Sequence, residues 1–355
     1  MVTIQKGGIL ILKIVAAVLS IPILCTILVG VLASLWVRLF AVVVAHWNRP
    51  DLAGIMFNRG QYFALESVHA KPSSTIVMHL VCDGTICLER LRQQFQRQLI
   101  LSQSNVHTPD SYSRFRQLWT QYAGYTFWQW ESDFSVEKHI REYDYDDSEL
   151  ALPAGICSEN DLKRITAAVV AKPYPSGQSP WEILVIENYK SSNNNEGHPQ
   201  FVLVLRIHHL LADRISIVKL LLRLFDQENL SFAQARFRQM SLAERIWRNV
   251  KVAVRAPFDL VSKFLEGYDG KNCWYMVDTQ KAKKYHAFFS NRIPVNKVKE
   301  IMRKHKVCYN AAIYSVTAGA ITKLMTEAGQ RVPAQLSCVF PHPLPNHPGG
   351  LVNHL

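Results

Sequence analysis

The chain has 355 residues, 48% of them hydrophobic and 19% charged, which excludes an intrinsically disordered chain and leaves room for one large domain or two. Lys and Arg outnumber Asp and Glu by 40 to 28, for a net charge of +12, and such an excess favours anionic partners. The basic residues are scattered, with no run of five like charges, no zinc-finger spacing and no aromatic-glycine box, so nucleic acid is not among the expected partners.

The front of the chain reads as a membrane segment. Residues 14–37, IVAAVLSIPILCTILVGVLASLWV, carry no charge, and a helix rising about 1.5 Å per residue would span a hydrocarbon core of about 30 Å with some tilt. Lys13 and Arg38 bracket it, Trp36 and Trp47 suit an interface, and Pro22 is tolerable in such a helix. The apolar run is longer than a signal-peptide core and no clear small-x-small site follows, which favours an uncleaved anchor. The second run, 39–45, is too short to span alone. It extends the helix, lies in the interface or forms part of a re-entrant turn. Lys6 and Lys13 on one side are matched by Arg38, Arg49 and Arg59 on the other, so charge does not set the orientation.

Beyond Pro50 the pattern is mixed α/β. TIVMHLVCD (75–83) reads as a buried strand, and Gly84 and Thr85 turn the chain into a helix over 86–100, with Leu88, Leu91, Phe95 and Leu99 at helical spacing. Residues 102–116 read as loop, 122–130 are rich in aromatics, and 133–140 read as strand. In SENDLKRITAAVVAKPY (158–174), Ser158 reads as the cap of a helix that ends before Pro173. WEILVIENY (181–189) and FVLVLRIHH (201–209), joined by the turn-rich SSNNNEGHPQ, form a hairpin. A helix over 214–226 follows, with Asp213 at its N-cap.

Residues 230–275 are basic and amphipathic. The favoured reading is a helix packed on the core; a membrane-surface helix or long crossover is the alternative. Residues 286–307 read as a strand, Pro294 and a helix. Residues 309–329 form a helix stopped by Gly329, and 333–355 a strand followed by proline-rich loop. The seven cysteines are odd in number, widely spaced and never CxxC. They read as reduced thiols in a cytosol-facing domain, without a zinc site.

One stretch carries chemistry: RIHHLLADRISIVKLL, residues 206–221. Adjacent strand residues face opposite ways, so His208 and His209 cannot serve one site in the same manner. A histidine titrating near neutrality suits a general base, and Asp213 can cap the helix, bind a cation or hold the turn. The bland alternative is two satisfied strand-end histidines and a capping aspartate.

Around this turn the chain resembles the bifunctional wax ester synthase/diacylglycerol acyltransferase family, which belongs to the condensation-domain and chloramphenicol acetyltransferase-like superfamily. FNRGQYFALES (57–67), WQWESDFSVEKHIR (128–141), YPSGQSPWEILVI (174–186), VLVLRIHHLLAD (202–213) and YNAAIYSVTAGAI (309–321) are similar to that family's segments and stand in its order. The resemblance implies a two-lobed chloramphenicol acetyltransferase-like α/β fold behind the membrane helix. The anchor would occupy residues 1–49, the first lobe 50–284, and an incomplete second lobe 285–355.

It also implies membrane-bound O-acyl transfer from acyl-CoA to a fatty alcohol or diacylglycerol. His209 is then the general base, His208 a support of the turn, and Asp213 structural, commonly pairing with an arginine. No metal or cofactor is required, acyl-CoA being a co-substrate. The domain would face the cytosol from the endoplasmic reticulum or plasma membrane. Arg214 stands where the family usually has glycine, and resists the left-handed backbone that glycine permits. It is also a candidate for a CoA phosphate. Asn310 is a candidate substrate-binding residue, although Ala311 replaces the aspartate that usually follows it. These departures make a catalytically degenerate lipid-binding or scaffold member of the same fold the alternative.

Overall fold

A computed structural model describes residues 2–56, 60–101, 112–191, 197–227, 240–268, 285–290, 293–333, 347 and 350–354. The chain divides into two compact units. One gathers Cys25–Met240, Lys283–Ala287 and Pro341–Leu355; the other gathers Met1–Leu24, Ser241–Ala282 and Phe288–Phe340.

In chain order the elements are α1 (Val2–Asn48), β1 (Leu52–Ile55), β2 (Thr75–Asp83), α2 (Leu88–Phe95), β3 (Gln117–Tyr122), β4 (Tyr125–Trp130), α3 (Val136–His139), β5 (Ile140–Glu142), β6 (Cys157–Ser158), α4 (Glu159–Val169), β7 (Trp181–Lys190), β8 (Gln200–His208), α5 (Arg214–Leu224), α6 (Leu242–Tyr268), α7 (Val295–His305) and α8 (Tyr309–Glu327). Helix α1 runs unbroken through 39–45, so the short second apolar run extends the first. By length and composition its stretch Leu10–Asn48 suffices to cross a membrane.

The first unit is a mixed α/β body. Its five-stranded sheet has the order β2-β8-β7-β5, with β6 also paired to β7. β7 and β8 form the expected antiparallel hairpin, and β2 pairs β8 antiparallel from Thr75↔His208 to Asp83↔Gln200. The central strands are apolar on both faces because both faces are covered. Met78, Leu205 and Ile183 lie side by side across the sheet, in the core that takes Leu91 and Phe95 of α2 and Ile217 and Leu220 of α5. His79, Val204 and Leu184 share the other face. There the Thr166 hydroxyl of α4 donates to Leu162 O at 2.6 Å and accepts from His79 Nε2 at 2.9 Å. Ser158 caps α4 in a reciprocal capping box with Asp161.

A second sheet, β1-β4-β3, carries the aromatic-rich stretch. Its β3–β4 turn is Ala123–Gly124, both at positive φ, 48° and 78°, the geometry that matches the twist of a two-residue hairpin.

Four expectations are corrected. β2, expected as a buried strand, ends the described sheet and is only half-buried, with Val81 exposed. The strand expected over 133–140 is a helical turn, α3, before the short β5. The turn carries His139 to Trp181, against whose indole it stacks at 4.3 Å and to whose carbonyl its Nδ1 donates at 2.8 Å. No strand forms over 285–290. Helix α6 does not bury its apolar face among the described residues: Leu242, Ile246, Trp247, Val250, Val254 and Leu260 are exposed. Both faces of the five-stranded sheet are occupied by helices of its own unit. The strand expected at the start of 333–355 falls largely on 334–346, outside the described residues.

Candidate active site

The turn joins the end of β8 to the start of α5. Two backbone hydrogen bonds set its register: His208 N–H donates to Pro180 O at 2.9 Å, and His209 N–H to Ser74 O at 2.8 Å. The last strand residue is therefore His208, and His209 is the first residue beyond the ladder, free of the sheet's alternation.

His208 is fully buried and satisfied at both ring nitrogens. Leu210 N–H donates to its Nδ1 at 3.3 Å, which assigns the proton to Nε2, facing the Glu66 carboxylate. Trp119 lies against the ring, with centroids 5.1 Å apart. Glu66 also accepts from the backbone N–H and hydroxyl of both Ser73 and Ser74. Burial alone would raise the Glu66 carboxyl, but the Ser73 and His208 hydrogen bonds outweigh it and hold it below its ordinary value. Burial pushes the His208 imidazole down against the pull of Glu66. A neutral imidazole on an ionised carboxylate results.

His209 is half-buried. Phe63 lies flat on it, with ring centroids 4.5 Å apart and planes 17° from parallel. Its Nδ1 meets Asn353 Oδ1 at 3.1 Å, while Asn353 Nδ2 donates to the carbonyls of His209 and Leu210 at 2.7 and 3.0 Å. No described residue hydrogen-bonds its Nε2.

Asp213 caps α5 through Ser216 N–H at 2.8 Å, as its position in the sequence suggested. Its remaining partners come from the end of the chain. His347 Nε2 stands 3.2 Å from both carboxylate oxygens, and His354 N–H donates to Oδ2 at 2.7 Å. Asp213 N–H donates to Val352 O at 2.9 Å, and the Ser216 hydroxyl donates to the same carbonyl at 2.9 Å. In place of the arginine partner that the resemblance implied, His347 stands beside the carboxylate, with the strap 350–354 alongside. Burial works against ionisation here too, but the His347, Ser216 and His354 hydrogen bonds prevail and hold the Asp213 carboxyl at about 2.

Arg214 is exposed on the first turn of α5 in ordinary helical backbone, and it is not among the residues at positive φ. The strain expected of an arginine in a glycine's place does not arise. Asn310 is exposed on the first turn of α8, in the other compact unit.

A cavity of about 210 Å³ opens beside Glu66, walled by Ala64, Val68, His69, Trp119 and Pro180. A larger one, about 330 Å³, lies at the opposite end of the β7–β8 hairpin, near Glu187, Lys190 and His198. Among the described residues no group of His, Cys, Asp and Glu stands close enough to hold a metal ion.

Sequence reasoning found the turn and missed the residues that hold it: Phe63, Glu66, His347 and Asn353. A signal existed for two of them. Phe63 and Glu66 lie within FNRGQYFALES, which resemblance had singled out without giving either a role. Asn353, 144 residues from His209, had no local signal.

No protein-family model matches the sequence, and no curated protein matches it. Among solved structures, the chain is similar to a wax ester synthase/diacylglycerol acyltransferase from Marinobacter aquaeolei VT8, with a TM-score of 0.44 and 14% identity over 78% of this chain and 61% of that one. It is also similar to a condensation domain of the enacyloxin polyketide synthase, with a TM-score of 0.31, 15% identity and coverage of 62% and 39%. The tallysomycin biosynthesis protein TlmII gives a TM-score of 0.33, 15% identity and coverage of 56% and 46%. The chain spans less than two thirds of the length of each of these structures.

Proposed function

We propose that the protein is a membrane-bound O-acyltransferase that moves a fatty acyl group from acyl-CoA to a long-chain alcohol or diacylglycerol, with His209 as general base. One observation carries the choice of base. His208 is buried and engaged at both nitrogens, whereas His209 is half-buried and its Nε2 is open among the described residues. The motif's resemblance supplies the reaction class, and the apolar α1 suits water-insoluble substrates.

In this reading an acceptor hydroxyl binds at Nε2. As its oxygen attacks the thioester carbonyl carbon, the proton passes to the imidazole. The tetrahedral intermediate then expels CoA thiolate, which takes the proton back, leaving ester and free CoA. Such a base contributes roughly 10²–10⁴-fold, and alignment of the two reactants supplies much of the rest. His208 and Asp213 act as supports, and exposed Arg214, at the N-terminus of α5, is offered to a CoA phosphate.

The test uses membranes carrying the full chain, labelled acyl-CoA, and either hexadecanol or diacylglycerol. Labelled ester is expected from the wild type, with a loss of about 100-fold or more in His209→Ala. Equal ester from both proteins rejects His209 as base. No ester from the wild type with either acceptor rejects the reaction.

A further inference from the structure

We infer that Asn353 is a positioning residue that fixes the protonation state of His209, and that Asp213 acts on this histidine through the strap carrying Asn353. The inference rests on the reading of His209 as the base and deepens it.

A neutral imidazole carries its proton on one of two nitrogens, and only the other can accept a proton from a substrate hydroxyl. The amide of Asn353 decides between them. Its Nδ2 faces two acceptors, the carbonyl oxygens of His209 and Leu210, at 2.7 and 3.0 Å. An amide turned the other way would set its oxygen against both carbonyls. The orientation is therefore determined by the backbone of the turn itself, and it leaves Oδ1 pointing at His209 Nδ1, 3.1 Å away. Oδ1 can only accept, so Nδ1 carries the proton and donates. The lone pair is then on Nε2, the nitrogen left open. Phe63 stacks on the ring and restricts its rotation.

Asn353 is itself held in place. It is buried, and it lies between Val352 and His354. Val352 O accepts from Asp213 N–H and the Ser216 hydroxyl, and His354 N–H donates to the Asp213 carboxylate. The strap is thus fastened on both sides of Asn353 to the first turn of α5. Space for the amide comes from Gly60, where a Cβ would stand 2.7 Å from Asn353 Nδ2. The aspartate of the turn and its second histidine are thereby connected through a residue outside the turn.

The direct readout is the ring of His209 in the full chain labelled with ¹⁵N at the histidine ring nitrogens, its signals identified by their loss in His209→Gln. The wild type is expected to show a protonated Nδ1 and an unprotonated Nε2 above the imidazole's titration midpoint; the reverse assignment overturns the inference. Asn353→Leu removes the acceptor and is expected to mix the two forms. It should also lower kcat by about 10- to 100-fold, with the KM for acyl-CoA changed less than about twofold. Asn353→Asp keeps an oxygen at Nδ1 and adds a charge, and is expected to raise the titration midpoint of His209 by about one unit or more. A structural role alone would move neither ring signal nor midpoint. Variants whose thermal unfolding matches the wild type, with unchanged ring signals and midpoint, overturn the inference, and the wild-type spectrum decides it even where a variant fails to fold. A wild type with protonated Nδ1 and no ester rejects acyl transfer and keeps the tautomer assignment. A wild type that makes ester with a protonated Nε2 does the opposite.

Discussion

Gly60 and Asn353 stand so close that a methyl group does not fit between them: a Cβ on residue 60 would lie 2.7 Å from Asn353 Nδ2, 3.1 Å from its Cγ and 3.2 Å from Phe63 Cδ2. The backbone of Gly60 has φ −81° and ψ 12°, which alanine adopts without strain. Any effect of Gly60→Ala therefore comes from the added carbon. The substitution is expected to displace the amide and the Phe63 ring together and to lower kcat by about tenfold, while thermal unfolding shifts by only a few degrees, the scale of about 1 kcal/mol. Wild-type turnover in Gly60→Ala would show that the amide accommodates the methyl group and that the packing does not matter.

Glu66 and His208 make a second testable pair. The carboxylate accepts from His208 and from both serines of the 73–74 turn. Glu66→Ala leaves the buried Nε2–H of His208 and several serine donors without their acceptor. Each buried donor left unpaired costs about 1–3 kcal/mol, so a total loss of about 3 kcal/mol is expected once solvent reaches the serines. Glu66→Gln keeps one acceptor oxygen and is expected to lose roughly half as much. Urea unfolding of the detergent-solubilised chain measures both. If Glu66→Ala costs no more than a surface substitution, His208 does not depend on the carboxylate for its position.

What was legible in the sequence follows from what is local. β7 and β8 were readable because strands buried on both faces are near-continuous apolar runs; β2 was readable from its β-branched apolar run, although it ends the described sheet and is only half-buried. α4 and α5 were readable because Ser158 and Asp213 cap them within three residues. α3 is a single turn, too short for a helical period, so its mixed residues passed for strand. α6 has the pattern of a core helix, and periodicity alone cannot say whether a face is covered. The site shows the same limit. HHxxxD announces itself, yet the groups that determine its protonation come from residues 66 and 353, which are 142 and 144 residues from the histidines they serve. A lone asparagine in LVNHL carries no pattern that predicts this.

Asp213 has a defined signature in acid. Its carboxyl is held at about 2, against an ordinary value of 3.8. A depressed carboxyl stabilises the fold fully above the unfolded-state value, and this contribution is lost as pH falls through about 4 towards 2. Nearly two pH units correspond to about 2 kcal/mol. Asp213→Asn is expected to cost about that much at pH 7 and to flatten the stability profile below pH 4. An undiminished acid slope in the variant would assign that slope to other carboxyls.

His79 should act in a separate window. It lies on the sheet face covered by α4, its Nε2–H donating to Thr166, and burial alone pushes its imidazole down to about 4 from 6.5. The unfolded chain gains a proton here before the native one does. Its contribution is therefore complete above about pH 6.5 and declines progressively as pH falls to about 4. His79→Gln retains an amide donor for Thr166 and does not titrate. Between pH 7 and 4 the wild type is expected to lose more stability than this variant, whose remaining loss there comes from groups it keeps, the depressed imidazole of His208 among them, and below pH 4 both are expected to fall together as Asp213 becomes protonated. Unfolding followed by tryptophan fluorescence at half-unit pH steps separates the two windows. Parallel curves for wild type and His79→Gln above pH 4 would exclude His79 as the titrating group.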